Sequence, residues 1–121
     1  MADLQKLKTR VLADEARILF RTGGWPDSDR FPDRIPVMEP TLPDWLGRQG
    51  VVLLGVDLPS VDPLDSKTLD NHHALGQHRI TILEGISLED VPEGRFELIA
   101  PPLNITGADG SPLRALLRTL E

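Results

Sequence analysis

The spacing of apolar positions changes several times along the chain, and each change predicts an element. Leu4, Leu7, Val11 and Leu12 recur at helical spacing among Lys, Gln and Arg, which predicts an amphipathic helix over 2–14 with Asp3 near its positive end. Ile18, Leu19 and Phe20, closed by Gly23 and Gly24, predict a first buried strand over 17–21. From Gly23 to Pro43 five prolines deny the chain a regular ladder, so this stretch is read as a long irregular excursion. Its apolar residues Trp25, Phe31 and Met38 either pin the excursion to the body by burying area or face a substrate.

"TLPDWLGRQG" carries the start and stop signals of a short helix: Thr41 as cap, Pro43 in the first turn, Gly50 after the last. Val51 to Val56 is a continuous apolar run, the pattern of a central strand covered on both faces. "DSKTLDNHHALG" reads as the next helix, with Asp65 or Ser66 as cap, Leu69 and Leu75 on its apolar side and Gly76 as left-handed terminator. A third strand is expected over 79–84, and a fourth in "RFELIAPPLNI", interrupted, bent or set at an edge by Pro101 and Pro102. "LRALLRTL" fits either a final strand or a helix of two turns, and the turn signal "GADGSP" before it favours the strand. The alternation predicts one α/β layered domain over 1–121, a mixed sheet of about five strands with flanking helices.

Composition narrows the partners. A net charge of -6 leaves no basic surface for phosphates, which argues against nucleic acid. The absence of cysteine removes thiolate chemistry and disulfides and suits a reducing cytoplasm. No apolar run approaches the roughly 18 residues of a membrane span.

Candidate chemistry concentrates in "NHHALGQHRITILEG". Imidazole and carboxylate are suitable donors for zinc or another first-row divalent ion. His72 and Glu84 could therefore be ligands, or His72 and His73 could be the polar trim of a helix and Glu84 a charge emerging into solvent. A carboxylate directly after an apolar strand stands where α/β sheets keep functional groups. His78, beside Arg79, reads as a solvated loop residue.

The run from Leu53 to Leu117, "LLGVDLPSVDPLDSKTLDNHHALGQHRITILEGISLEDVPEGRFELIAPPLNITGADGSPLRALL", resembles the C-terminal half of the bacterial kynurenine formamidases. "RTGGWPD" and "PDWLGRQGVVLLGVD" extend the likeness back to about Ala16. The resemblance implies a cyclase-like, swivelling β/β/α fold. It also implies metal-dependent hydrolysis of N-formylkynurenine to kynurenine and formate, with a pair of zinc ions and a homodimer. It makes His72 and Glu84 metal ligands and His73 their supporting neighbour, and sets Ser111 and Pro112 near the substrate pocket. The family's other ligands and its catalytic histidine come from an H-x-G-T-H-x-D-x-P motif and a later histidine. This chain has no such stretch, its three histidines all falling between 72 and 78.

Two expectations follow. The chain is a formamidase, or a component of one, completed by a complementary N-terminal chain, or it is a catalytically inert remnant or interaction module that keeps the fold. Strands written for burial on both faces also lead us to expect a homo-oligomer.

Overall fold

A computed structural model describes residues 16–121, so the helix expected over 2–14 lies outside the described residues. The described residues fall into two compact units, one ending at Glu89 and the other running from Asp90 to Glu121.

The first unit is strand β1 (Arg17–Phe20), helix α1 (Leu42–Arg48), strand β2 (Leu53–Val56), helix α2 (Asp70–Gln77) and strand β3 (Thr81–Leu83). The three strands form a parallel sheet in the order β1-β2-β3, with Leu54 opposite Ile18 on one side and Ile82 on the other. Parallel neighbours need crossovers, and right-handed crossovers between successive strands put both helices on one face of the sheet. The helices accordingly meet. The His78 ring, at the end of α2, lies against Gly47 of α1 and hydrogen-bonds Asp44 through Nε2 at 2.8 Å. His78 is therefore a half-buried strut between two helices, not the solvated loop residue its neighbour Arg79 suggested.

Both helices end in the same way. After α1, Val51 N–H donates to the Leu46 carbonyl and Gly50 N–H to that of Gly47, with Gly50 left-handed at φ 77°. After α2, Ile80 N–H donates to the Leu75 carbonyl and Arg79 N–H to that of Gly76, with Arg79 at φ 57°. Each is a Schellman motif that satisfies the last carbonyls and turns the chain into the next strand. Its apolar partners, Leu46 with Val51 and Leu75 with Ile80, are all core residues. The terminator of α2 is thus Arg79 and not Gly76, which lies inside the helix; the sequence signal for glycine misleads because the left-handed residue here carries a side chain.

The start of α2 also differs from expectation. The helix begins at Asp70, and Ser66 Oγ accepts the N–H of Leu69 in the preceding turn. Its first free N–H groups are satisfied from a distance: Asp62 Oδ1 takes that of Asn71 and Oδ2 that of His72. Leu69, left-handed at φ 52°, is exposed instead of facing the core. At α1, Thr41 occupies the cap position, but its hydroxyl donates to Glu39 Oε1 and makes no capping bond.

Leu42, Leu46, Val51, Leu54, Val56, Leu58, Val61, Leu75 and Ile80 form the core, with Ile18, Phe20, Ile35, Met38 and Trp45 packed on it. Burial of each such Leu or Ile contributes about 1.5–3 kcal/mol. Met38 and Ile35 thus pin the irregular excursion to the body, as the burying alternative required. Phe31 is 71% exposed and meets Trp25 edge to face with ring centroids 6.2 Å apart. Val52, within the run read as covered on both faces, is exposed, and β2 starts one residue later.

The second unit is an antiparallel pair, β4 (Phe96–Ile99) and β5 (Leu116–Thr119), with Leu98 opposite Leu117 and Ile99 opposite Leu116. β4 stops before Pro101 and Pro102, which have no N–H to give a ladder. Arg118 pairs with Glu97 across the strands. The five strands expected from the sequence are present, divided between a parallel sheet of three and an antiparallel pair. Among the described residues no helix is long and apolar enough to cross a membrane.

Candidate metal centre

The carboxyl ends of the three parallel strands carry the polar groups. β1 leads to Thr22, β2 to Asp57 and β3 to Glu84. Asp57 is consumed locally: it accepts the Thr22 N–H at 2.9 Å, the Thr22 hydroxyl at 2.6 Å and the Gly23 N–H at 2.9 Å, locking the exit of β1 to that of β2. Glu84 is used differently. Its Oε1 accepts the Val61 N–H at 2.9 Å and faces His72 Nε2 at 3.1 Å.

His72 reaches that position because of the antiparallel sense of helix and strand. From His72 to His78 the helix carries the chain about 9 Å away from the carboxyl end of the sheet. From Ile80 to Glu84 the strand brings it back about 13 Å. The first turn of α2 and the residue after β3 therefore arrive at a similar level.

The far side of the imidazole is held by Asp62, with Nδ1 and Oδ2 2.7 Å apart. Asp62 is 1% exposed. Burial opposes its charge, but hydrogen bonds from the His72 ring and from the N–H groups of Asn71 and His72, with the coulombic effect of His72, outweigh that and hold the carboxyl below its ordinary 3.8. Asn71, also buried, returns a bond from its Nδ2 to the Val61 carbonyl at 2.9 Å. Two consecutive loop residues thus hold the pair: Val61 holds Glu84 and Asp62 holds His72.

The structure brings His72 and Glu84 together. His73, next along the helix, is exposed. Ser111 and Pro112 belong to the second unit, where Ser111 Oγ accepts the Leu103 N–H and donates to the Pro112 carbonyl. Among the described residues no group of three or more His, Cys, Asp or Glu side chains is arranged to hold a metal ion. Sequence reading passed over Asp57 and Asp62. Asp57 follows a strand as directly as Glu84 does, so the same signal was present; Asp62 lies in a loop ten residues before His72, and only the folded chain connects them.

Two solved structures share this arrangement of strands and helices. One is a "predicted metal-dependent hydrolase" from Bacillus stearothermophilus, with TM-score 0.72 and 29% identity, covering 82% of this chain and 47% of that one. The other is a "potential metal-dependent hydrolase with cyclase activity", with TM-score 0.73 and 29% identity, covering 82% and 48%. The sequence comparison is more particular. The chain is 47% identical over 117 residues to the kynurenine formamidase of Geobacillus thermodenitrificans and 51% identical over 117 residues to that of Bacillus cytotoxicus. Each match covers 97% of this chain and 56% of the relative. Over the aligned region the chain is similar to kynurenine formamidases, and it spans about half the length of the curated relatives it matches. No protein-family model matches it.

Proposed function

We propose that the chain supplies part of the metal centre of a kynurenine formamidase, with His72 Nε2 and Glu84 as ligands of a divalent ion, zinc by its donor set. The carrying observation is the 3.1 Å approach of Nε2 to Glu84 Oε1. An imidazole lone pair and an ionised carboxylate repel at that range unless a positive charge lies between them, either a proton on Nε2 or a shared cation. Donors each about 2.0–2.2 Å from one zinc ion stand at about such a separation. The donor chemistry therefore fits, and the remaining ligands would come from outside the described residues.

When bound, zinc supplies Lewis-acid activation of water and of an amide carbonyl. The residues of this chain hold and orient: Asp62 and Val61 fix the two donors, and Asp57 fixes the neighbouring strand exits. The substrate class is a small aromatic formamide, N-formylkynurenine, hydrolysed to kynurenine and formate. Ser111 and Pro112 would lie near its pocket, and His73 would support the ligand beside it. A cytoplasmic setting fits a chain free of cysteine.

The test is zinc binding by the purified chain, followed by formate release from N-formylkynurenine after the other half of a relative is supplied. His72→Ala and Glu84→Ala are each expected to abolish zinc binding. Undiminished zinc binding by both variants would refute the reading. A second reading, an inert interaction module, draws on the two-donor site and on exposed apolar side chains such as Ile99, Leu116 and Leu120. It and the enzyme reading share one expectation, self-association, and sedimentation at high concentration tests it.

A further inference from the structure

The proposed ligand His72 is held from behind more tightly than a helix cap requires. Asp62 Oδ2 accepts both the backbone N–H of His72 at 3.0 Å and the ring at Nδ1, 2.7 Å away, so one oxygen fixes the main chain and the side chain of the same residue. Its other oxygen accepts the Asn71 N–H at 2.9 Å. The Asp62 N–H in turn donates to Ser60 Oγ, and Asn71 Nδ2 donates to the Val61 carbonyl, which leaves the loop little room to shift. A carboxylate can only accept, so the nitrogen facing it must carry the hydrogen. With Nδ1 committed to Asp62, the nitrogen an ion can take is Nε2, where the ion would replace the proton that bridges to Glu84 in the free chain.

We propose that Asp62 is a positioning residue for this centre, keeping the proton on His72 Nδ1 and fixing the ring so that Nε2 is the metal-binding nitrogen directed toward Glu84. The inference rests on the reading of His72 and Glu84 as ligands. It adds a buried carboxylate that touches no ion and acts through the imidazole, fixing its tautomer and removing its rotation. Capping of α2 is a separate duty of the same side chain, and the two are separable because Asn keeps an oxygen that can accept a backbone N–H while losing the charge.

Zinc is titrated into the 15N-labelled chain, and the His72 ring nitrogens are followed by NMR while affinity is read by chelator competition. In the unsubstituted chain Nε2 is expected to take the shift of a coordinated nitrogen and Nδ1 to retain its proton. Asp62→Asn is expected to weaken zinc binding roughly 10–100-fold, and Asp62→Ala at least as much. Leu75→Ala, which weakens the same helix from its buried side, is expected to leave the affinity of the folded protein unchanged and so controls for stability. Wild-type affinity in Asp62→Asn, with binding lost in His72→Ala and Glu84→Ala, would overturn the positioning role and leave the ligand reading standing. Coordination through Nδ1 would overturn it too. Zinc binding indifferent to His72 and Glu84 would remove both.

Discussion

Gly50 and Arg79 occupy the same place in equivalent helix terminators, at φ 77° and φ 57°, yet one is glycine and the other is not. Exchanging their character should move stability in opposite directions. A β-carbon added at Gly50 meets no atom within 4 Å, so Gly50→Ala costs backbone strain alone. The left-handed conformation costs an L-residue about 1–2 kcal/mol. Removing glycine recovers about 0.5–1 kcal/mol of unfolded-state entropy. The net is a loss of roughly 0.5–1 kcal/mol for Gly50→Ala and a similar gain for Arg79→Gly, whose side chain is exposed. Equilibrium urea unfolding of both variants reads this directly: midpoints shift in opposite senses, by about 2–4 °C if followed thermally, while the urea slope stays constant. Destabilisation by Arg79→Gly would refute the reasoning, because it would mean that the arginine side chain outweighs the strain of its backbone.

Other outcomes follow from single contacts. Gly47→Ala would set a β-carbon inside the van der Waals envelope of the His78 ring and displace it from Asp44; a loss of about 1–3 kcal/mol is expected, largely relieved in a His78→Ala background, and additive effects in that double-mutant cycle would contradict it. Leu75→Ala, at a fully buried site, is expected to cost about 2–5 kcal/mol in urea unfolding; a loss within experimental error would mean the site is not packed. Asp62 titrates lower in the folded chain than its ordinary 3.8, so its contribution is complete above that pH and is lost as pH falls through the lower folded value. Asp62→Asn should therefore flatten the acid limb of a stability-against-pH curve, and an unchanged acid limb would count against the buried carboxylate.

Local signals were enough for the elements themselves. Apolar runs located β1, β2, β3 and β4 to within a few residues, because burial of consecutive or alternating side chains has to be written into neighbouring positions, while α1 was read from its start and stop residues and β5 from the turn before it. Proline and glycine marked where elements stop, β4 before Pro101 and α1 at Gly50. Glu84 was legible as a candidate because a carboxylate closing a strand is itself a local pattern, and the likeness to the formamidases rests on ordered motifs that need no coordinates.

Tertiary structure decided the rest, wherever the partner of a group lies far along the chain. The helix cap of α2 is Asp62 and not Asp65 or Ser66, since a free N–H takes whichever acceptor the fold brings to it. His78 became a strut only once two crossovers put α1 beside α2. His72 and Glu84 could each be named from their neighbours, but their 3.1 Å approach depends on helix and strand returning to one level, with a loop residue behind each of them. A sequence records which groups exist, and the geometry that sets what they can do together is a property of the folded chain.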